Sequence, residues 1–179
     1  MKWTCLQSEV VFRSRRFNIR RDLNRAETSG NVHEFHLLEI SDWVNVIPIT
    51  PDREVVLVRQ FRHGIRDLSL EIPGGILDPE DESPASAALR ELREETGYTA
   101  DRIEPLAVMH PNPALQANLC HMFVAYDVVL AGPTQWDEIE ELAIERVPLS
   151  SVRSLIEARR ITSALAVAAF HLLPRELRP

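Results

Sequence analysis

Glu91, Glu94 and Glu95 are the residues whose type and spacing could carry chemistry in this chain. On a helix Glu91 and Glu95 stand one turn apart, with Glu94 beside them. Like charges at this spacing destabilise a helix by roughly a few tenths of a kcal/mol, so something must offset the repulsion. Two compensations fit the sequence. Arg90, four residues before Glu94, and Arg93 could pair with the carboxylates on a solvated face. Alternatively, the hard oxygens converge on a divalent cation such as Mg²⁺ or Mn²⁺. A carboxylate-rich half of the chain that holds such ions would stand beside a basic half that can meet phosphate. Metals neutralise developing charge, orient phosphates and lower the pKa of an attacking water.

The charge distribution is consistent with that chemistry. The chain has 179 residues and a net charge of −7, unevenly spread. Residues 1–70 carry 11 basic and 9 acidic side chains, whereas residues 71–179 carry 9 and 18. Of those 18 acids, 11 fall in three clusters, 78–82, 91–95 and 137–141. An acidic chain lacks the basic surface that nonspecific duplex binding needs, so nucleic acid is not expected as a partner. Lys2 is the one lysine among 20 basic residues, and the arginines suit bidentate phosphate contacts. Cys5 and Cys120 are too few and too far apart for a disulfide framework or a zinc cluster, and they read as free buried thiols. The opening residues lack the apolar core of a signal peptide. The longest apolar stretch, 164–173, is half of the ~20 residues a membrane span requires. These features point to a cytoplasmic protein without a membrane partner.

The elements that must position the glutamates follow from pattern. Strands are expected at 9–12, 17–25 and 32–40, the last two joined by a turn at 24–30 as a hairpin. Apolar, β-branched runs predict further strands at 43–49, 54–61 and 68–72, and Pro73-Gly74-Gly75 reads as a turn or loop. The glutamates lie in a helix over 84–96, with Ser83 as N-cap, Pro84 at the first helical position and Gly97 ending it. Strand-like runs follow at 103–109 and 120–129, then a polar loop around 131–141, a short apolar stretch at 142–147, and two helices at about 149–158 and 162–173. Strands mixed with a few helices give an α/β or α+β domain.

The segment from Gly74 to Tyr98 resembles the Nudix box, G-x5-E-x7-R-E-U-x-E-E-x-G-U, in which U is an apolar residue. Arg90, Glu91, Leu92, Glu94, Glu95, Gly97 and Tyr98 match its second half, and Glu82 stands at the expected distance before Arg90. Gly75 and Glu82 are separated by six residues where the family has five, which places the extra residue in the 78–81 loop. WVNVIPIT (43–50), VVLVRQFRHG (55–64), LEIPGG (70–75) and Asn112-Pro113-Ala114-Leu115 are similar to the branch that cleaves ADP-ribose and other nucleoside diphosphate sugars.

The resemblance implies an α/β/α sandwich with a mixed β-sheet and an N-terminal antiparallel β-hairpin or sheet. It implies residues 1–42 as a dimerising, substrate-closing strand region and residues 43–179 as the Nudix domain. Glu91, Glu94, Glu95 and the Gly74 carbonyl would coordinate Mg²⁺, with Mn²⁺ as the alternative ion. Glu82 and Arg90 would brace the loop against the helix, with Gly75 and Gly97 structural. Arg62 would touch the substrate diphosphate, and Glu71 borders the same site. The general base would come from the acidic loop, taken in the order Glu138, Glu141, Glu140. The implied reaction is Mg²⁺-dependent hydrolysis of ADP-ribose or a related nucleoside diphosphate sugar by a homodimer. Alternatives are GDP-mannose, a dinucleoside polyphosphate or a capped RNA as substrate, or a non-catalytic nucleotide-binding regulator.

Overall fold

The structure is a computed structural model that describes residues 1–136 and 141–178. Its strands are β1 (Trp3–Arg13), β2 (Asn18–Ala26), β3 (Val32–Glu39), β4 (Trp43–Ile49), β5 (Glu54–Arg62) and β6 (Asp67–Glu71). They continue as β7 (Gly74–Ile76), β8 (Tyr98–Thr99), β9 (Arg102–Met109), β10 (Cys120–Tyr126), β11 (Val129–Leu130) and β12 (Leu142–Pro148). The helices are α1 (Pro84–Thr96), α2 (Val152–Glu157) and α3 (Ala164–Leu172), with single 3₁₀ turns at Leu149–Ser151 and Arg175–Leu177.

The chain forms two compact units. One comprises Met1–Asp42 and His110–Leu119, the other Trp43–Met109 and the described part of Cys120–Pro179. In the first, β1, β2 and β3 make an antiparallel sheet. Residues 110–119 group with this sheet. The backbone explains why: the Leu38 N–H donates to the Leu115 carbonyl at 2.8 Å, and the Leu119 N–H to the Asp42 carboxylate at 2.8 Å.

The second unit holds a seven-stranded sheet ordered β12-β5-β4-β10-β9, with β6 on β5 and β7 on β4. Its β4–β10 pairing is parallel and its other pairings are antiparallel, so the sheet is mixed. β5 shows how the sequence pattern builds the layers. Its run of consecutive apolar residues is buried on both faces, as expected of an interior strand. Val55 and Leu57 join a core with Ile161, Ala169 and Phe170, near and within α3, while Val56 joins Ala87, Ala88 and Leu92 of α1. Helices therefore cover both faces, giving the expected α/β/α sandwich. Cys5 and Cys120 are free thiols, as expected, but Cys5 is exposed and only Cys120 is buried.

The site helix is closed at both ends by the expected residues. The Ser83 hydroxyl accepts from the Ser86 N–H at 3.1 Å, the Ser83 N–H donates to the Ser86 hydroxyl at 2.9 Å, and Pro84 opens the first turn. Gly97 ends the helix with φ +74°, and its N–H donates to the Arg93 carbonyl at 2.8 Å. A Cβ at Gly97 would also lie 2.3 Å from the Gly132 carbonyl oxygen. Contrary to the expected loop, Gly74 and Gly75 begin strand β7, in register with Asn45 and Val44 of β4. Gly97→Ala combines a left-handed backbone with a clash against a carbonyl. It is expected to cost about 1–3 kcal/mol of stability, measured by denaturant unfolding.

Candidate active site

Arg90 organises the site. Its five N–H donors all find acceptors. Nε donates to Asp81 Oδ1 at 3.1 Å, and Nη2 to Asp81 Oδ2 at 2.9 Å and to the Ile76 carbonyl at 3.0 Å. Nη1 donates to Glu91 Oε1 at 2.9 Å and to Glu94 Oε2 at 3.0 Å. The Asp78 carboxylate lies a further 3.4 Å from Nη2. One guanidinium thus joins the loop before the helix, the end of β7 and two of the three glutamates. This is the ionic compensation that the helix requires. Arg93, the other candidate for it, makes no ion pair with these glutamates among the described residues.

The brace differs from expectation. Arg90 takes Asp81 as its bidentate partner, and the Glu82 carboxylate takes no part among the described residues. Counting from Gly75, five residues precede Asp81, which restores the family's spacing with aspartate in place of glutamate. The extra residue therefore sits after Asp81, just before the N-cap, rather than in the 78–81 loop. That Gly75-to-Asp81 spacing was the signal for the correct pair. The Arg90 hydrogen bonds hold the Asp81 carboxyl below the ordinary aspartate range, against the opposing effect of burial. The same contact, foremost among its carboxylate partners, raises the Arg90 pKa, so the guanidinium stays charged.

Glu95 is the most enclosed of the three glutamates, 4% exposed. Its Oε2 accepts the Gly74 N–H at 3.0 Å, tying α1 to β7. The Glu91 carboxylate packs where a side chain at Gly75 would be, since a Cβ there would lie 2.3 Å from Glu91 Oε1. The two glycines are thus what allow β7 to pass so close to the helix. Among the described residues no three acidic, histidine or cysteine side chains already converge as a cage for an ion. The donor set nonetheless fits a hard divalent cation. It offers carboxylates on adjacent helical positions and a neighbouring backbone carbonyl, the hard oxygen donors such an ion prefers.

Arg62 and Glu71 are brought together. Arg62 Nε and Nη2 donate to the two Glu71 oxygens at 3.0 and 2.8 Å, a fork-to-fork pair with the carboxylate 14% exposed. Burial alone would raise the Glu71 pKa. The Arg62 hydrogen bonds and charge, with help from the Ser69 hydroxyl, outweigh it and leave the carboxyl below its usual range.

Of the expected base residues, Glu138 and Glu140 lie outside the described residues. Glu141 is exposed just before β12, whose Leu142 pairs with Gln60, toward the end of β5 that carries Arg62. The segment before the acidic run is latched to the site helix, which spacing gave no reason to expect. The Gln135 N–H donates to the Glu94 carbonyl at 2.8 Å, and the Trp136 indole N–H to the Glu95 carbonyl at 3.0 Å. These bonds satisfy carbonyls that the helix end leaves open.

The sandwich thus sets an arginine-braced glutamate helix beside a glycine strand. The NUDIX domain model matches residues 42–167, and the chain belongs to the Nudix family as one of its pyrophosphohydrolases. It is 33% identical to an ADP-ribose pyrophosphatase of Bacillus subtilis (strain 168) over 146 residues, covering 81% of this chain and 78% of that protein. It is 30% identical to the ADP compounds hydrolase NudE of Escherichia coli (strain K12) over 178 residues, covering 99% and 94%. A crystal structure of an ADP compounds hydrolase superposes with a TM-score of 0.84 at 29% identity, covering 97% of this chain and 92% of that one. Among the described residues no helix is long and apolar enough to cross a membrane.

Asp81→Asn and Glu82→Gln separate the two candidate braces. Because the folded pKa of Asp81 lies below its unfolded value, its stabilisation is complete above about pH 4 and disappears as pH falls through the lower folded value. Asp81→Asn should therefore lose about 1–3 kcal/mol at neutral pH and show a shallower loss of stability on acidification. Glu82→Gln should stay within about 0.5 kcal/mol of wild type across the same pH series of denaturant titrations.

Proposed function

We propose that this protein hydrolyses the diphosphate bond of ADP-ribose or a related nucleoside diphosphate sugar, giving a nucleoside monophosphate and a sugar phosphate. The observation that carries this reading is the single Arg90 guanidinium holding Glu91 and Glu94 beside the Gly74–Glu95 bond. The activities named for the relatives support it. Glu91, Glu94, Glu95 and the Gly74 carbonyl would hold Mg²⁺, with Mn²⁺ as the alternative. When bound, the metal neutralises diphosphate charge and makes water a stronger acid.

The chain's own residues do the rest. Arg90 keeps Glu91 and Glu94 oriented while its charge limits their mutual repulsion. The Gly74 N–H holds one Glu95 oxygen and so fixes that carboxylate beside β7. Arg62, with 47% of its side chain exposed and steered by the ionised Glu71, presents positive charge to the diphosphate. A glutamate of the acidic loop, Glu138 first and then Glu141 or Glu140, takes the proton from the attacking water.

The active form in this reading is a homodimer joined through the N-terminal strands. That sheet exposes Trp3, Leu6, Val11, Phe12, Val32 and Phe35, more apolar surface than a lone three-stranded sheet needs. The free thiols suit a cytoplasmic location. Glu95→Gln should lower ADP-ribose turnover in Mg²⁺ by at least about a hundredfold while circular dichroism and thermal unfolding match wild type. Full activity in that variant would remove the assigned metal site.

A further inference from the structure

Central strand β4 reads Trp-Val-Asn-Val-Ile-Pro-Ile, and Asn45 is its one amide side chain, half-buried in the middle of the sheet. An amide at such a place costs free energy unless it is partnered, and its partners show what it is for. Asn45 lies between Met122 of β10 on one side and Gly74 of β7 on the other. The fully buried Cys120 thiol donates to Asn45 Oδ1 at 3.2 Å, which turns the amide oxygen toward β10. With the oxygen held there, the amide nitrogen is turned onto Gly74. A Cβ built on Gly74 would lie 2.3 Å from Asn45 Nδ2 and 2.2 Å from the Val44 carbonyl, so the amide fills the space that this glycine leaves bare.

Gly74 is also the residue whose N–H meets Glu95. A chain of contacts therefore runs from the Cys120 thiol through the Asn45 amide and the Gly74 backbone to the Glu95 carboxylate. Its first two members belong to the sheet face opposite α1, where Cys120 packs with Met122 and Ile47. The Gly74 peptide is held from both faces, by Asn45 on one and Glu95 on the other.

We infer that Asn45, locked by Cys120, is a positioning residue that sets the Gly74 peptide and through it Glu95 for cation binding. This rests on the proposed role of Gly74 and Glu95 as cation ligands. Asn45 itself touches neither ion nor substrate. Its removal should weaken cation binding and, once cation is saturating, leave substrate binding unchanged. Residues that orient metal ligands typically change affinity by about 10–100-fold when lost.

The test measures Mn²⁺ affinity by electron paramagnetic resonance on the whole protein, together with kcat and KM for ADP-ribose and the thermal midpoint. Asn45→Ala should bind Mn²⁺ about tenfold more weakly and, at saturating cation, recover kcat and keep KM within about twofold. Cys120→Ala should shift Mn²⁺ affinity in the same direction. Cys120→Ser, which retains a donor, should return it toward wild type, and this pair decides the matter if Asn45→Ala does not fold. Glu95→Gln is the control. If it loses Mn²⁺ binding while Asn45→Ala and Cys120→Ala keep wild-type affinity, the positioning role is overturned and the metal site stands. A raised KM with unchanged Mn²⁺ affinity in Asn45→Ala overturns it equally. If Glu95→Gln binds Mn²⁺ as wild type does, the metal reading fails and this inference with it.

Discussion

Everything at this site leans on one cation surrounded by carboxylates. Arg90 spends all five of its donors on four residues, two carboxylates of its own helix, one carboxylate of the preceding loop and one carbonyl of β7. Lysine could not substitute, because its three donors radiate from a point and cannot bridge a loop, a strand and a helix at once. The arrangement answers two problems with one residue. It fixes the loop between β7 and α1, and it allows acidic groups to crowd one helix face without driving the helix apart. Its partial enclosure, 29% exposed, makes these contacts stronger than those of the fully exposed pairs elsewhere, such as Arg153–Glu157.

Glycine is the second constraint, and it acts through absence. α1 can carry Glu91 against β7 only because Gly75 has no side chain, and β7 can pair with β4 beside Asn45 only because Gly74 has none. Two consecutive glycines in a strand would ordinarily weaken it. Here the strand is held by ladder bonds to β4 and by the Glu95 carboxylate, so the local weakness is offset by contacts on both sides. Gly97 plays a similar part at the other end of the helix. Its bare face admits the Gly132 carbonyl, and its own carbonyl accepts the Ala131 N–H at 2.9 Å. The helix is thereby fastened to strand β7 near its middle and to the 131–136 segment at its end.

Much of this was legible in the sequence where a local rule decides the outcome. The helix over 84–96, its serine cap, its proline and its terminal glycine follow from backbone chemistry within a few residues, and the structure reproduces them residue for residue. Strands 43–49 and 54–61 were legible because apolar, β-branched runs leave few other choices. What escaped depends on partners distant in sequence. Pro73-Gly74-Gly75 looks like a turn until β4 is available to pair with it. Glu82 matches a spacing counted back from Arg90, yet Asp81 is the acid whose carboxylate reaches the guanidinium. Arg62 and Glu71, nine residues apart, each read as a separate candidate, and only the β5–β6 pairing makes them one unit. Residues 110–119 follow a strand of one unit and fold with the other, a choice made by hydrogen bonds to 38–42 that no periodicity records.

The acidity of the second half of the chain takes on a structural meaning from these contacts. Asp78, Asp81, Glu91 and Glu94 share a single counterion in Arg90, and the segment leading into 137–141 is tied to the same helix through the Glu94 and Glu95 carbonyls. Negative charge is thus concentrated around one helix and only partly neutralised by the protein. In water alone such a surface repels a diphosphate. A divalent cation reverses the sign of that interaction, because it adds positive charge where Arg90 already has every donor engaged. A divalent cation of the kind Nudix hydrolases generally use would thus lower the repulsion an anionic substrate meets at this helix as well as serve the chemistry, beside the positive charge of Arg62.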